Sequence, residues 1–335
     1  MTKQKSTWVK ETAAFGLIAL FLYLFFFVDL QQDQWNVPPN LLTVNTIFLS
    51  IVLEAIPFIM LGVFISALIQ VFVSEETIRR VLPRNALLAL FPAALLGIIF
   101  PVCECAIVPV VRRLIKKGMP LHIGVVFLVA APVLNPVVFA STYYAFQSKP
   151  EIAYARMGLS FVAAILIGLV IWLLFKKTNQ LKWSKEELMG KGPKHEASPD
   201  IGKWKSTFYH AGDEFFDMGK YLLLGALIAS VFQTFLDRSI LQTLGSNEFQ
   251  SPAIMMGLAY ILSLCSEADA FIAASFGSTF TAGSLLAFLV YGPMIDLKNT
   301  IMLLAFFRTK FTLVLIGVIT GVVYILVLIC QALIL

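Results

Sequence analysis

Two short stretches of apolar, membrane-length sequence each combine cysteine with a carboxylate. Pro101-Val102-Cys103-Glu104-Cys105 carries the first set and Leu264-Cys265-Ser266-Glu267-Ala268-Asp269 the second, with Cys103 and Cys265 162 positions apart. A carboxylate at bilayer depth costs roughly 2.5–3.5 kcal/mol on insertion scales, so a chain that keeps one in each half has a use for both. Thiolates are soft ligands that favour zinc, cuprous copper or trivalent arsenic-like centres, while carboxylates hold hard cations or carry protons. The pattern reads as a transport site. Cys103, Cys105 and Cys265 are the candidate ligands for a bound soft metal ion or other thiophilic solute, and Glu104, Asn135, Glu267, Asp269 and Asp296 the candidate substrate or proton-binding groups. Cys330, in an apolar run near the C-terminus, reads as a packing residue. His122 reads as interfacial, and Glu54 and Asp217 as either functional or loop-boundary groups.

The elements that must position these residues come in two copies. Leu61-Gly62-Val63-Phe64-Ile65 aligns with Leu224-Gly225-Ala226-Leu227-Ile228 at an offset of 163, which also places Glu54 on Asp217. Ala131-Pro132-Val133-Leu134-Asn135 aligns with Gly292-Pro293-Met294-Ile295-Asp296 at an offset of 161. Common order and nearly constant spacing mark an internal repeat. Pro101 and Pro109 bracket the first cysteine cluster, and the two proline motifs interrupt later apolar segments, so broken helices are expected to converge near the membrane centre.

A chain of 335 residues that is 59% hydrophobic and 13% charged, with mean hydropathy +0.86, belongs in a bilayer. The net charge of +5 sits mostly in loops and reports orientation, not a nucleic-acid partner. Residues 13 to 28 follow Lys3, Lys5 and Lys10 without a small-residue cleavage site and read as a retained helix with a cytoplasmic N-terminus. The segment from 86 to 111 lies between the basic loop at Arg79, Arg80 and Arg84 and the cluster Arg112, Arg113, Lys116 and Lys117. Both ends favour the cytoplasm, which predicts a re-entrant hairpin of two half-helices with Cys103, Glu104 and Cys105 at its tip. A second hairpin is expected at 252 to 279, entering from the other side.

The predicted fold is therefore an all-α polytopic membrane protein: a leading helix followed by two inverted-topology repeats with re-entrant hairpins and broken helices, a recurring plan among secondary transporters. The expected divisions are 1 to 40 for the leading helix and external loop, 41 to 175 for the first repeat, 176 to 206 for a cytoplasmic basic linker and 207 to 335 for the second repeat. No phosphate-cradling Gly-x-x-x-x-Gly-Lys loop is present, and no nucleophile has a histidine partner in an apolar segment. An enzyme is not expected.

The run from Pro101 through Cys103-Glu104-Cys105 to Pro109, followed by Lys117-Gly118-Met119-Pro120 and Ala131-Pro132-Val133-Leu134-Asn135-Pro136, resembles a bacterial predicted-permease family that includes organoarsenical efflux permeases. The resemblance covers roughly residues 41 to 335. Glu104 between the cysteines, with Arg112-Arg113 after them, is similar to the Gram-positive branch described as half of a two-component permease complex. It implies a multi-pass inner-membrane permease with a second membrane subunit. Ser and Gly stand in the common pattern where this chain has Glu104 and Ala106, so the added carboxylate changes the charge the site offers a substrate. The expected function is alternating-access transport of a small solute, a metal ion or a thiophilic or organoarsenical compound, with proton coupling. A transmembrane thiol carrier and a non-catalytic complex subunit are the alternatives.

Overall fold

The computed structural model describes residues 38–72, 76, 88–99, 103–175, 180–181, 203–235, 249–277 and 279–333. The expected leading helix, Pro101 and most of the basic linker lie outside the described residues. Twelve helices are described: α1 (Pro39–Phe72), α2 (Leu90–Ile99), α3 (Glu104–Lys116), α4 (Leu121–Ala130), α5 (Pro136–Ala145), α6 (Glu151–Leu174), α7 (Lys203–Phe235), α8 (Gln250–Leu262), α9 (Ala268–Ser275), α10 (Ala282–Met294), α11 (Leu297–Phe306) and α12 (Thr309–Leu333). Among the described residues, five stretches are long and apolar enough to cross a bilayer: Pro39–Phe72, Glu151–Leu174, Ala211–Phe235, Ala282–Phe306 and Thr309–Ala332. The protein is all-α and polytopic.

One order of elements occurs twice. A long helix (α1, α7) is followed by two short helices (α2–α3, α8–α9), a broken pair (α4–α5, α10–α11) and a second long helix (α6, α12). The short arms of the first copy are 10 and 13 residues long. α7 begins at Lys203, inside the segment assigned to the linker. The start of that linker is pinned where Arg308 donates its backbone N–H to the carbonyl of Gln180 at 2.9 Å, beside an isolated bridge between Leu181 and Phe307.

α1 and α7 pack side by side in opposite directions. Ile51 and Val52 meet Ala226 and Ala229, while further along α1 the Phe64 ring lies 5.9 Å from that of Phe208 and Ser66 reaches Glu214. The repeat-matched glycines give this pair its contact with the rest of the protein. A Cβ on Gly62 would sit 2.5 Å from the Cβ of Ala106 in α3, and one on Gly225 would sit 3.0 Å from Cα of Lys298 in α11. Glycine is required at both places because helices bearing site residues come this close.

The packing does not keep the symmetry of the sequence. α1 lies on α3 of its own copy, but α7 lies on α11 and not on α9. The face formed by α5 and α9 is left outward, with Val137 53%, Tyr144 65% and Phe271 57% exposed. One expectation needs correction. Pro109 does not end a helix but lies inside α3. It withdraws the N–H that would bond the Cys105 carbonyl, a loss membrane helices tolerate where neighbouring groups compensate. Its own carbonyl accepts a hydrogen bond from Ser66 at 3.5 Å.

Two predictions follow from these contacts. Gly62→Ala is expected to destabilise the purified protein by about 1–3 kcal/mol through overpacking. Gly158→Ala, whose Cβ would meet nothing within 4 Å, should be neutral or slightly stabilising in thermal unfolding. With re-entrant hairpins, an impermeant thiol probe should label Lys117→Cys from the cytoplasmic side and Gln250→Cys from outside; external labelling at 117 rejects that topology.

Candidate functional site

Four breaks in helices face one another, and the site is built on their ends. α3 begins directly after Cys103, so Glu104 occupies its first turn, where the helix N-terminus favours negative charge. α5 begins after Asn135, whose Oδ1 accepts the N–H of Val137 at 2.8 Å, with Pro136 at the first helical position. The matching break in the second copy is capped in the same way. Asp296 Oδ1 accepts the N–H of Asn299 at 2.6 Å. α8 ends at Ser263 in the left-handed conformation, φ 48°, a position that costs a non-glycine residue about 1–3 kcal/mol unless its surroundings hold it there. Two contacts do so: the Ser263 hydroxyl accepts the N–H of Leu297 at 3.2 Å, and its carbonyl accepts from Lys298 Nζ at 2.7 Å.

Lys298 is the centre of this arrangement. Its side chain is 4% exposed, and Nζ lies 3.1 Å from Glu104 Oε1 and 3.5 Å from Asp296 Oδ2. One ammonium thus joins the start of α3, the end of α8 and the start of α11. Glu104 is fully buried, and among the described residues neither of its oxygens completes a hydrogen bond, nor do Asp296 Oδ2 and Asn299 Oδ1. Lys298 Nζ is the cation beside Glu104 Oε1 and Asp296 Oδ2, while Glu104 Oε2 and Asn299 Oδ1 have no hydrogen-bond partner among the described residues. A buried carboxylate in that state attracts a cation or a proton.

A second buried ion pair lies beside the first. Arg156 of α6 is fully buried; Nη2 donates to both oxygens of Asp269 at 3.1 Å and to the Ser266 carbonyl at 3.3 Å, and Nη1 donates to Thr142 Oγ1 at 2.7 Å. Glu267 is only half-buried and is approached by the Ser266 hydroxyl at 3.4 Å. Glu104 lies within electrostatic reach of Glu267, Asp269 and Asp296, so the two pairs form one charge system.

Cys103, Cys105 and Cys265 are free and buried, at 2%, 2% and 5% exposure, and Cys103 has the other two thiols as neighbours. Among the described residues no three His, Cys, Asp or Glu side chains are arranged to hold a metal ion. The thiols therefore form a soft wall beside the carboxylates and not a closed cage. Cys330 packs in the core, as expected.

The structure thus gathers Cys103, Glu104, Cys105, Cys265 and Asp296 closely, sets Asp269 with Arg156, and gives Asn135 a capping role. Glu54 and Asp217 face outward, away from the site. Sequence reasoning missed Lys298 and Arg156, although a cation inside apolar sequence was the available signal. It also missed Glu214. That carboxylate is buried between α1, α3 and α7, where it accepts from Ser66 at 2.8 Å and pairs with Arg113 at 3.2 Å.

The profile of a family described as predicted permease matches residues 40–332. The UPF0718 protein YcgR of Bacillus subtilis is 47% identical over 287 residues, covering 85% of this chain and 95% of that protein. A Streptococcus mutans protein described as a subunit of a two-component membrane permease complex is 37% identical over 285 residues, covering 84% and 93%. No solved structure matches.

Lys298→Met strands Glu104 and Asp296 as buried charges, and breaking a buried pair in this way costs about 3–5 kcal/mol. The double variant Glu104→Gln/Lys298→Met is expected to recover part of that loss in thermal unfolding, the remainder being the charge of Asp296, which stays buried without its partner. Equal losses from the single and double variants would show that the two residues are not coupled.

Proposed function

The chain belongs to the predicted-permease family, and on that premise we propose that it is a multi-pass permease subunit. It moves a small cationic or thiophilic solute past Glu104, Lys298 and the three thiols, with proton coupling, in the inner membrane of a bacterial cell. The observation that carries this reading is the buried Glu104–Lys298–Asp296 cluster at the meeting point of broken helices. When Glu104, Asp269, Asp296, Lys298 and Arg156 are all ionised, three negative charges face two positive ones. One buried carboxylate is in excess. A single proton or a single monovalent cation such as a cuprous ion restores neutrality, which is the stoichiometry a one-for-one exchange of solute against proton needs.

Lys298 acts as the resident cation. A solute that reaches Glu104 competes with the ammonium, which keeps the Ser263 carbonyl and Asp296 as partners when it lets go. Cys103, Cys105 and Cys265 then select by softness, favouring a zinc ion, a cuprous ion or the soft arsenic centre of a trivalent organoarsenical over magnesium or calcium. Burial of all three thiols argues against a thiol carrier, because exchange requires a thiolate to reach the disulfide sulfur it attacks.

Access would alternate through the unequal packing of the two copies. The repeat that places α1 on α3 and α7 on α11 generates a second arrangement with α7 on α9 and α1 on α5, which covers the face now exposed and uncovers the other. The match to a relative described as a subunit of a two-component complex, over 84% of this chain and 93% of that protein, supports assigning this chain a place in an assembly of two membrane proteins, and the buried cluster supports giving it the site-bearing role.

The test uses proteoliposomes holding the full chain together with any membrane partner that co-purifies with it, with zinc, cuprous ion and a trivalent organoarsenical tried separately. Replacing Cys103, Cys105 and Cys265 with Ser is expected to cut the rate at least about ten-fold, the effect of losing roughly 1.4 kcal/mol of soft contact. Glu104→Gln is expected to abolish the response to a pH gradient. Wild-type rates from the triple serine variant would reject the thiophilic substrate and leave a carboxylate site for a hard cation.

A further inference from the structure

We infer that the outward face shared by α1 and α7 is the docking surface for a helix of a second membrane chain, which brings a lysine or arginine to Glu54 inside the bilayer. The inference deepens the proposed subunit role by giving the partner a place and a chemistry, and its depth argument rests only on α1 crossing the membrane.

Glu54 is exposed, and among the described residues it has neither an ion-pair nor a hydrogen-bond partner. Its depth is fixed by the length of α1. A spanning helix needs about 20 residues in hydrocarbon, and every 20-residue window of Pro39–Phe72 contains positions 53 to 58. However the helix is placed, Glu54 lies within the apolar layer. Pro57 is also exposed on this face and has no N–H to give the carbonyl of Leu53, so a second acceptor is weakened one residue from the carboxylate. Lipid can satisfy neither group.

The surroundings of Glu54 are shaped for a helix. Leu53, Met60 and Leu61 of α1 are 49%, 57% and 45% exposed, and Leu224 and Leu227 of α7 are 49% and 47% exposed. They make an apolar surface with one uncompensated negative charge. Two other occupants fit it less well. Residues 13 to 28 of this chain contain no Lys, Arg or His, so the leading apolar segment could cover the leucines but could not answer Glu54. A second copy packed on this face would offer Lys220, the cation within the apolar span of α7, and that ammonium is already 2.7 Å from Asp217. A different chain, apolar along one face with one cation near mid-span, meets both demands.

The experiment places p-benzoylphenylalanine in place of Leu61, and separately in place of Leu313 on α12, which is 61% exposed, in the full chain within the membrane of its own cells. After illumination, position 61 is expected to yield an adduct with a different membrane protein and position 313 none. Both Glu54→Lys and Glu54→Gln should lower the adduct about ten-fold, the scale of one interhelical polar contact in a membrane. Glu54→Gln keeps the side chain's size, which covers the case in which Glu54→Lys disturbs insertion. Changing the mid-span lysine or arginine of the captured chain to glutamate should restore the adduct with Glu54→Lys. The inference is overturned by an adduct with a second copy, by cross-linking only to residues 1 to 37, by no adduct, or by an adduct indifferent to Glu54. No transport is measured, so failure of the solute assignment leaves the result readable.

Discussion

Lys298 holds the centre of the protein together. Its ammonium meets Glu104 at the start of α3, the Ser263 carbonyl at the end of α8 and Asp296 at the start of α11. Each of these is the end of an interrupted helix, and an interrupted helix inside a membrane survives only where its free polar groups find partners. A lysine supplies three donors from one point charge, which suits three acceptors arriving from different directions. Gly225 completes the fit by letting α7 close directly against the Lys298 backbone.

Arg156 performs the corresponding task on the other side of the site, where a planar fork is the better shape. Its donors reach Asp269 and the Ser266 carbonyl with one nitrogen and Thr142 with another, binding α9, the α8–α9 turn and α5 to the spanning helix α6. Asp269 is thus held with both carboxylate oxygens on one guanidinium nitrogen, whereas Glu104 meets Lys298 through one oxygen only. The half-buried Glu267 extends the negative potential toward the outside of the cluster.

The architecture was largely legible in the sequence because membranes make strong demands on it. Hydropathy located the spans, proline-containing motifs located two breaks, and the offset between Cys103 and Cys265 exposed the duplicated order. The partners of the acids were less visible. Lys298 stands two residues after Asp296 and reads locally as part of a loop, and Arg156 stands near the start of an apolar run where an interfacial cation is ordinary. Neither has a counterpart in the other copy at the offset that found the cysteines and the caps. The alignment that paired Glu54 with Asp217 did not point to Glu214, the buried carboxylate of α7. Along that helix Glu214, Met218, Leu222, Ala226 and Ala229 face inward, and Asp217 falls on the opposite side. Both α1 and α7 are apolar over most of their spanning surface, so sequence periodicity did not reveal which face was buried.

Duplication gives the chain two similar halves, but the site depends on the places where they differ. Asn135 and Asp296 cap equivalent helices, yet only the aspartate adds charge, and only the second copy follows its cap with a lysine. The first copy contributes Glu104 where the second has Ser266 at the cysteine offset, and the second returns a carboxylate at Asp269 that must borrow Arg156 from the first. Each half therefore carries a charge that only the other half can neutralise. Separate halves would expose uncompensated buried ions at their broken helices, so the same pairs that define the site also oblige the two copies to pack together. The pair of Glu214 on α7 with Arg113 on α3 adds a third, part-buried charge contact across the two halves.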